Sequence, residues 1–302
     1  MRAIGTTLVV AMGLALVAGL SACGQDQTSQ DRQHGAATVV ASTDVWGSVA
    51  SAVTGDHATV KSLVTSAVDD PHSFEARPSD AAAITDAALV VYNGGGYDHW
   101  VDDVLSGHPG IQAVNAYSLL PGGQPQPANA HVFYDPSTAK AVATQIADHL
   151  AKGDAANADT YRANAAEFGK KADEILQTER AIGRTRPGTS VVATEPVANY
   201  LLINAGITDK TPEGFTSAVE EDADPSPADL AAMLDLISKR QVSAVLFNPQ
   251  TQTEVTKQIQ DAAQKASVPV VTVTETLPQG TDYLSWQRQT ADQLANALQT
   301  NR

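Results

Sequence analysis

Residues 157–182 read NADTYRANAAEFGKKADEILQTERAI, with no proline, no strand-like run and a single internal glycine, Gly169. Tyr161, Ala165, Phe168, Ala172, Ile175 and Ile182 recur at the spacing of one helical stripe. At a rise of 1.5 Å per residue this stretch predicts a helix roughly 40 Å long, more than one lobe needs. It reads as a strut between two folded halves.

On both sides of the strut, short apolar runs alternate with helical patterns. Ahead of it, strands are expected at 38–41, 59–64, 88–92 and 111–114, and helices from Val45, over 79–87, over 97–105 and over 136–150. Ser42, Thr43 and Asp44 offer an N-cap for the first helix, and Pro78 with Ser79 opens the second. Beyond it, strands are expected at 190–193, 242–247 and 268–273, and helices at 197–205, 227–240, 251–266 and 283–298. Alternation of this kind implies an α/β fold: two lobes with mainly parallel sheets flanked by helices, joined by one long helix. The expected organisation is a first lobe over 37–153, the connecting helix over 154–186 and a second lobe over 187–302.

The N-terminal residues carry a different signal. Met1 and Arg2 precede an apolar run from Thr6 to Leu20, the layout of a secretory signal peptide over 1–22. The run is short for a permanent membrane span. Leu20-Ser21-Ala22-Cys23 resembles a bacterial lipobox, which makes Cys23 the expected lipid anchor at the outer face of the cell membrane. Residues 24–36 have almost nothing to bury and read as a tether.

Cys23 is also the sole cysteine, so any metal in the exported chain has to be held by nitrogen and oxygen. With 34 acidic against 19 basic residues and a net charge of -15, nucleic acid and anionic substrates are poor partners. A cation is a compatible one.

In α/β lobes ligand groups sit in loops at the carboxyl ends of strands. Four such loops carry a candidate metal ligand: His72 in Asp69-Asp70-Pro71-His72, His131 ahead of Asp135-Pro136, Glu195 in Thr194-Glu195-Pro196, and Glu275 in Thr274-Glu275-Thr276. Two histidines from one half and two carboxylates from the other form a neutral site around a divalent ion, suited to manganese, iron or zinc. Taken singly, Glu195 also fits a helix N-terminal carboxylate and Glu275 an ordinary loop acid.

Asp70-Pro71-His72 with Glu75, the Pro78-Ser79-Asp80 beyond it, His131 running into Asp135-Pro136, the long helix, and Thr194-Glu195-Pro196 with Tyr200 resemble, in order and spacing, one known family. It is the zinc and manganese type (cluster A-I) of solute-binding lipoproteins that serve bacterial metal ABC transporters. The resemblance implies capture of one ion between the lobes by His72, His131, Glu195 and Glu275, without catalysis, by a monomer. Delivery to an ABC permease with its cytoplasmic ATPase follows from it too. The family's last ligand is commonly an aspartate; Glu275 is one methylene longer, and Asp282 is the substitute. Residues 122–130 lack the histidine-rich loop of many zinc importers.

Two other functions fit parts of the pattern: a surface lipoprotein that buffers metal or acts as an adhesin without a permease, and a metallohydrolase using the same ligands. The second lacks a His-Glu-x-x-His helix or a nucleophilic serine in a glycine elbow. His34, His57, His108 and His149 read as surface residues, and Trp46, Trp100 and Trp286 as packing. His99 follows a glycine turn, but Asp98 and Asp102 beside it suggest a solvated helix face. The run from Glu220 to Asp224 reads as a solvated acidic loop.

Overall fold

Two four-stranded parallel sheets carry the fold, and each has its strands in the same permuted order. In the first, β1 (Ala37–Thr43) pairs with both β2 (Ala58–Val64) and β3 (Leu89–Tyr92), and β4 (Ala113–Asn115) adds to β3, giving the order β2-β1-β3-β4. In the second, β5 (Ser190–Ala193) lies between β6 (Thr208–Asp209) and β7 (Val245–Phe247), and β8 (Val270–Thr272) closes the order β6-β5-β7-β8. The computed structural model describes residues 37–66, 71–122, 128–221 and 223–300. The signal peptide, the Cys23 anchor, the 24–36 tether and Asp69-Asp70 therefore lie outside the described residues.

Helices cover both faces of each sheet, which is why inner strands are buried throughout, as all four residues of Leu89-Val90-Val91-Tyr92 are. Side chains alternate between two cores, as a period of two requires. Val39 and Val91 face the main core, whereas Val40 and Val90 face a smaller one with Ile84 and Trp100. In the second sheet Val191 joins the main core and Val192 packs with Phe215, Met233 and Ile259.

The long helix forms as expected and runs slightly further, over Ala158–Thr185. Its 28 residues span about 42 Å. The expected stripe is its buried face, with two additions, Gly169 and the acid Glu179. This face packs on α1 (Asp44–Thr54), α4 (Pro136–Gly153), α6 (Asn199–Ala205) and α10 (Tyr283–Thr300), with the strut itself counted as α5. Because Val39, Phe168, Leu246 and Tyr283 all belong to one apolar cluster, the main core continues from one sheet to the other. From Ala36 onward the chain is a single compact unit.

The remaining helices are α2 (Pro78–Thr85), α3 (His99–Gly107), α7 (Glu213–Glu220), α8 (Pro227–Ser238) and α9 (Glu254–Ala266). Thr43 takes the N-cap position of α1 with extended backbone, but its hydroxyl makes no capping bond. Ser226 does cap α8, accepting from the Asp229 N–H. β6 and α7 lie in a stretch where the sequence pattern assigns nothing, and Glu220 of the acidic run is the last residue of α7 rather than loop. No described helix is long and apolar enough to cross a membrane.

Candidate metal centre

Loops that follow strands place three of the candidate ligands, and His131 lies in the segment between β4 and α4. His72 follows β2 in a 3-10 turn, Pro71–Ser73; His131 precedes another, Val132–Tyr134; Glu195 leaves β5 just ahead of Pro196–Ala198; Glu275 follows β8. Among the described residues, His72, His131 and Glu275 offer ligand atoms that all lie within 4.8 Å of one another. Glu275 Oε2 is 3.0 Å from His72 Nε2 and 3.4 Å from His131 Nε2. Glu275 is fully buried and His131 nearly so, while the His72 side chain is 36% exposed, so the group is approached from the His72 side.

Glu195 joins through a shared partner. The Asn248 side-chain amide donates to Glu195 Oε2 at 2.6 Å and to Glu275 Oε1 at 2.9 Å. Asn248 is itself fixed, because its backbone N–H donates to Thr194 Oγ1 and its Oδ1 accepts from the Gln250 N–H. Gln250 in turn accepts the Glu275 N–H at 2.6 Å and donates to Thr276. One polar network thus orients both carboxylates from the ends of β5, β7 and β8. It leaves Glu275 Oε2 turned toward the imidazoles rather than toward an amide donor.

The other half is held as firmly. The Asp98 carboxylate accepts from the backbone N–H groups of Asn93 and Gly94, both at 2.7 Å, and so closes the glycine turn after β3. Asn93 then donates to the Ala130 carbonyl at 2.8 Å, next to His131. Asp98 is buried, which corrects its own reading as part of a solvated face, although His99 and Asp102 are exposed as expected; the Asp98 charge serves the turn's own amides. His99 is exposed at the start of α3 and does not line the site. Tyr134 bridges the halves, its hydroxyl donating to the Thr274 carbonyl at 2.9 Å. Asp282 stands away from the cluster, where its carboxylate accepts from the Ser285 N–H and hydroxyl in the first turn of α10.

Electrostatics separate the two carboxylates. Burial alone would raise the Glu275 pKa, but the facing imidazoles of His131 and His72 override it and hold the carboxyl well below the usual range. Glu195 is pushed up to about 7, first by burial and then by the negative charge of Glu275. A cavity of about 250 Å³ opens in front of these groups, lined among others by His72, Tyr97, His131, Glu195 and Glu220. Two imidazole nitrogens and a carboxylate oxygen converging in a largely buried spot, with a second carboxylate beside them, form a nitrogen and oxygen donor set for a divalent ion.

Sequence reasoning missed Asn248, Gln250 and Asn129. Asn248 directly follows β7 in Phe247-Asn248-Pro249-Gln250, so the rule that places ligand groups after strands also points to it once amides are admitted alongside imidazoles and carboxylates.

The model of the ZnuA family, zinc-uptake complex component A, periplasmic, matches residues 39–297. The chain belongs to that family. It aligns with the zinc-binding lipoprotein AdcA of Streptococcus pneumoniae serotype 4, at 27% identity over 214 residues, 65% of this chain and 42% of AdcA. It also aligns with the manganese-binding lipoprotein MntA of Halalkalibacterium halodurans, at 25% identity over 169 residues, 55% of each chain. The chain thus spans about half the length of these two relatives. Among solved structures, the laminin-binding protein of Streptococcus agalactiae, described as bifunctional with adhesin and metal transporting activity, superimposes with a TM-score of 0.74. The identity there is 24%, covering 87% of this chain and 99% of that one, and it establishes the shared fold.

Proposed function

We propose that the protein is an exported receptor that captures a divalent transition metal, zinc or manganese with iron as the third candidate, and delivers it to an ABC permease. The ion is cargo, taken up and released unchanged. His72 and His131 supply imidazole nitrogen, and Glu195 and Glu275 supply carboxylate oxygen that balances the charge of the ion. The observation that carries this reading is the aim of Glu275 Oε2 at both Nε2 atoms, 3.0 and 3.4 Å away, in a site where neither His131 Nε2 nor Glu275 Oε2 finds a well-formed hydrogen bond. A cation at that point satisfies all three groups together, which is how buried polar atoms avoid their desolvation cost. Family membership and the zinc and manganese named in its relatives support the same class of cargo.

In this reading residues 37–153 and 187–302 act as two lobes on either side of the 154–186 segment, and Cys23, lipidated after removal of 1–22, keeps a monomeric receptor at the outer face of the membrane. Zinc outcompetes manganese in solution by the general affinity order, so the physiological ion has to be read in the cell. Deleting the gene should slow growth in chelator-treated medium and lower cell-associated zinc or manganese. The parent gene should restore both, and genes encoding His131→Ala or Cys23→Ala should not. Full restoration by His131→Ala would overturn the proposal.

A further inference from the structure

His131 is held by a residue that also grips the opposite half of the site. Asn129 Oδ1 lies 2.8 Å from the His131 backbone nitrogen and 3.0 Å from its Nδ1. A backbone N–H can only donate, so the atom facing it is the amide oxygen, and the same oxygen takes a proton from Nδ1. His131 Nδ1 therefore carries a proton, which leaves Nε2 as the nitrogen that can bind a metal and makes Nδ1–H the tautomer of the neutral ring. The amide's other end donates to the Pro196 carbonyl at 3.2 Å, one residue beyond Glu195. The Asn129 carbonyl accepts the Tyr200 hydroxyl of α6 at 2.7 Å.

We infer that Asn129 is a positioning residue that sets the His131 tautomer and couples the His131 loop to the Glu195 loop. Glu275 opposes it, since a carboxylate 3.4 Å from Nε2 favours the proton on that nitrogen. Asn129 holds the ring in the binding tautomer against that pull. The coupling follows from the shared amide: a movement that parts 129 from 196–200 withdraws Glu195 and strains the bond that arms His131. One displacement thereby disarms two ligands, which suits a receptor that has to give up a firmly held ion.

This inference rests on the metal-binding reading, and its first test is independent of metal. Imidazole 15N spectra of the metal-free protein, taken at alkaline pH with the ring neutral, should show His131 as Nδ1–H. Asn129→Ala should convert it to Nε2–H, and Asn129→Asp, which keeps the acceptor, should restore Nδ1–H. Zinc release to a chelator then reads the coupling. Asn129→Asp loses the donor to Pro196 and should release zinc at least tenfold faster with the tautomer intact; Asn129→Ala should also bind 10–100-fold more weakly, the usual cost of losing an outer-shell partner. Tyr200→Phe removes the α6 bond alone and should speed release with no tautomer change, which covers the case of an unfolded Asn129 variant. Retention of Nδ1–H in Asn129→Ala would overturn the tautomer role, and parent-like release from Asn129→Asp and Tyr200→Phe would overturn the coupling. If zinc left the parent's His131 resonances unmoved, the metal reading would fail while the tautomer result stood.

Discussion

Replacing Glu179 with glutamine should remove a stability loss that this protein suffers as pH rises. Glu179 sits on the buried stripe of α5 and has no exposed surface. Its Oε2 accepts one hydrogen bond, from Asn204 of α6 at 2.9 Å, and its Oε1 has no partner among the described residues. Burial raises its pKa from 4.5 to about 8, and the charge of Asp135 adds to the rise, while Asn204 and Arg180 oppose it. The folded chain therefore keeps a proton on Glu179 over a range where the unfolded chain has lost it. A group raised in this way stabilises fully below the unfolded pKa and loses its contribution as pH climbs through the folded one, with a slope of about 1.4 kcal/mol per pH unit. Between pH 4.5 and about 8 the loss sums to about 5 kcal/mol, a large share of the 5–15 kcal/mol typical of a domain. Glutamine has the same shape, keeps the carbonyl that Asn204 needs and cannot ionise. Urea unfolding of metal-free parent and Glu179→Gln across pH 5 to 8.5 should show a gap that widens in favour of the variant by several kcal/mol toward high pH. A gap of constant size would refute the assignment of Glu179 as a buried neutral acid.

Three further outcomes follow from the geometry. Because Glu195 is pushed up to about 7 in the metal-free protein, and the proposed ligand set uses it ionised, each ion should displace its proton below that pH. The apparent affinity should then fall about tenfold per pH unit from this group alone, and calorimetry in buffers of different ionisation enthalpy should show that component vanish in Glu195→Gln. Asn248→Leu leaves the buried Glu275 Oε1 and the half-buried Glu195 Oε2 without this donor; chelator competition should show metal affinity down about 10–100-fold, where an unchanged affinity would count against the bridging role. Gly183→Ala would drive a methyl into the Ala205 carbonyl where α5 crosses α6, and urea unfolding should register a cost of about 1–3 kcal/mol.

Much of the fold is legible because its signals are periodic. The stripe from Tyr161 to Ile182 specifies the long helix, and the apolar runs bounded by turn residues specify the buried parallel strands. Glu179 also falls on that stripe, four residues after Ile175, so its position can be read from the sequence although its burial cannot. β6 has only two residues, both exposed, and no pattern of that length marks a strand. Asp98 reads as a surface charge because its partners, the amides of Asn93 and Gly94, exist only once the glycine turn has folded back. At the site, imidazoles and carboxylates at strand ends are visible from residue type and place. The amides of Asn129 and Asn248 are not, since Asn is common in loops and their roles depend on partners up to 67 residues away.

The central claim is that His72 and His131 from one half and Glu275 with Glu195 from the other hold one divalent ion. Chelator-competition titration of the metal-stripped protein beside its His72→Ala/Glu275→Gln double variant, with zinc and then manganese, tests it most directly. The account predicts one ion per parent chain and, in the double variant, an affinity loss beyond the roughly 10–100-fold that an outer-shell change produces. Equal stoichiometry and affinity in the two proteins would contradict it.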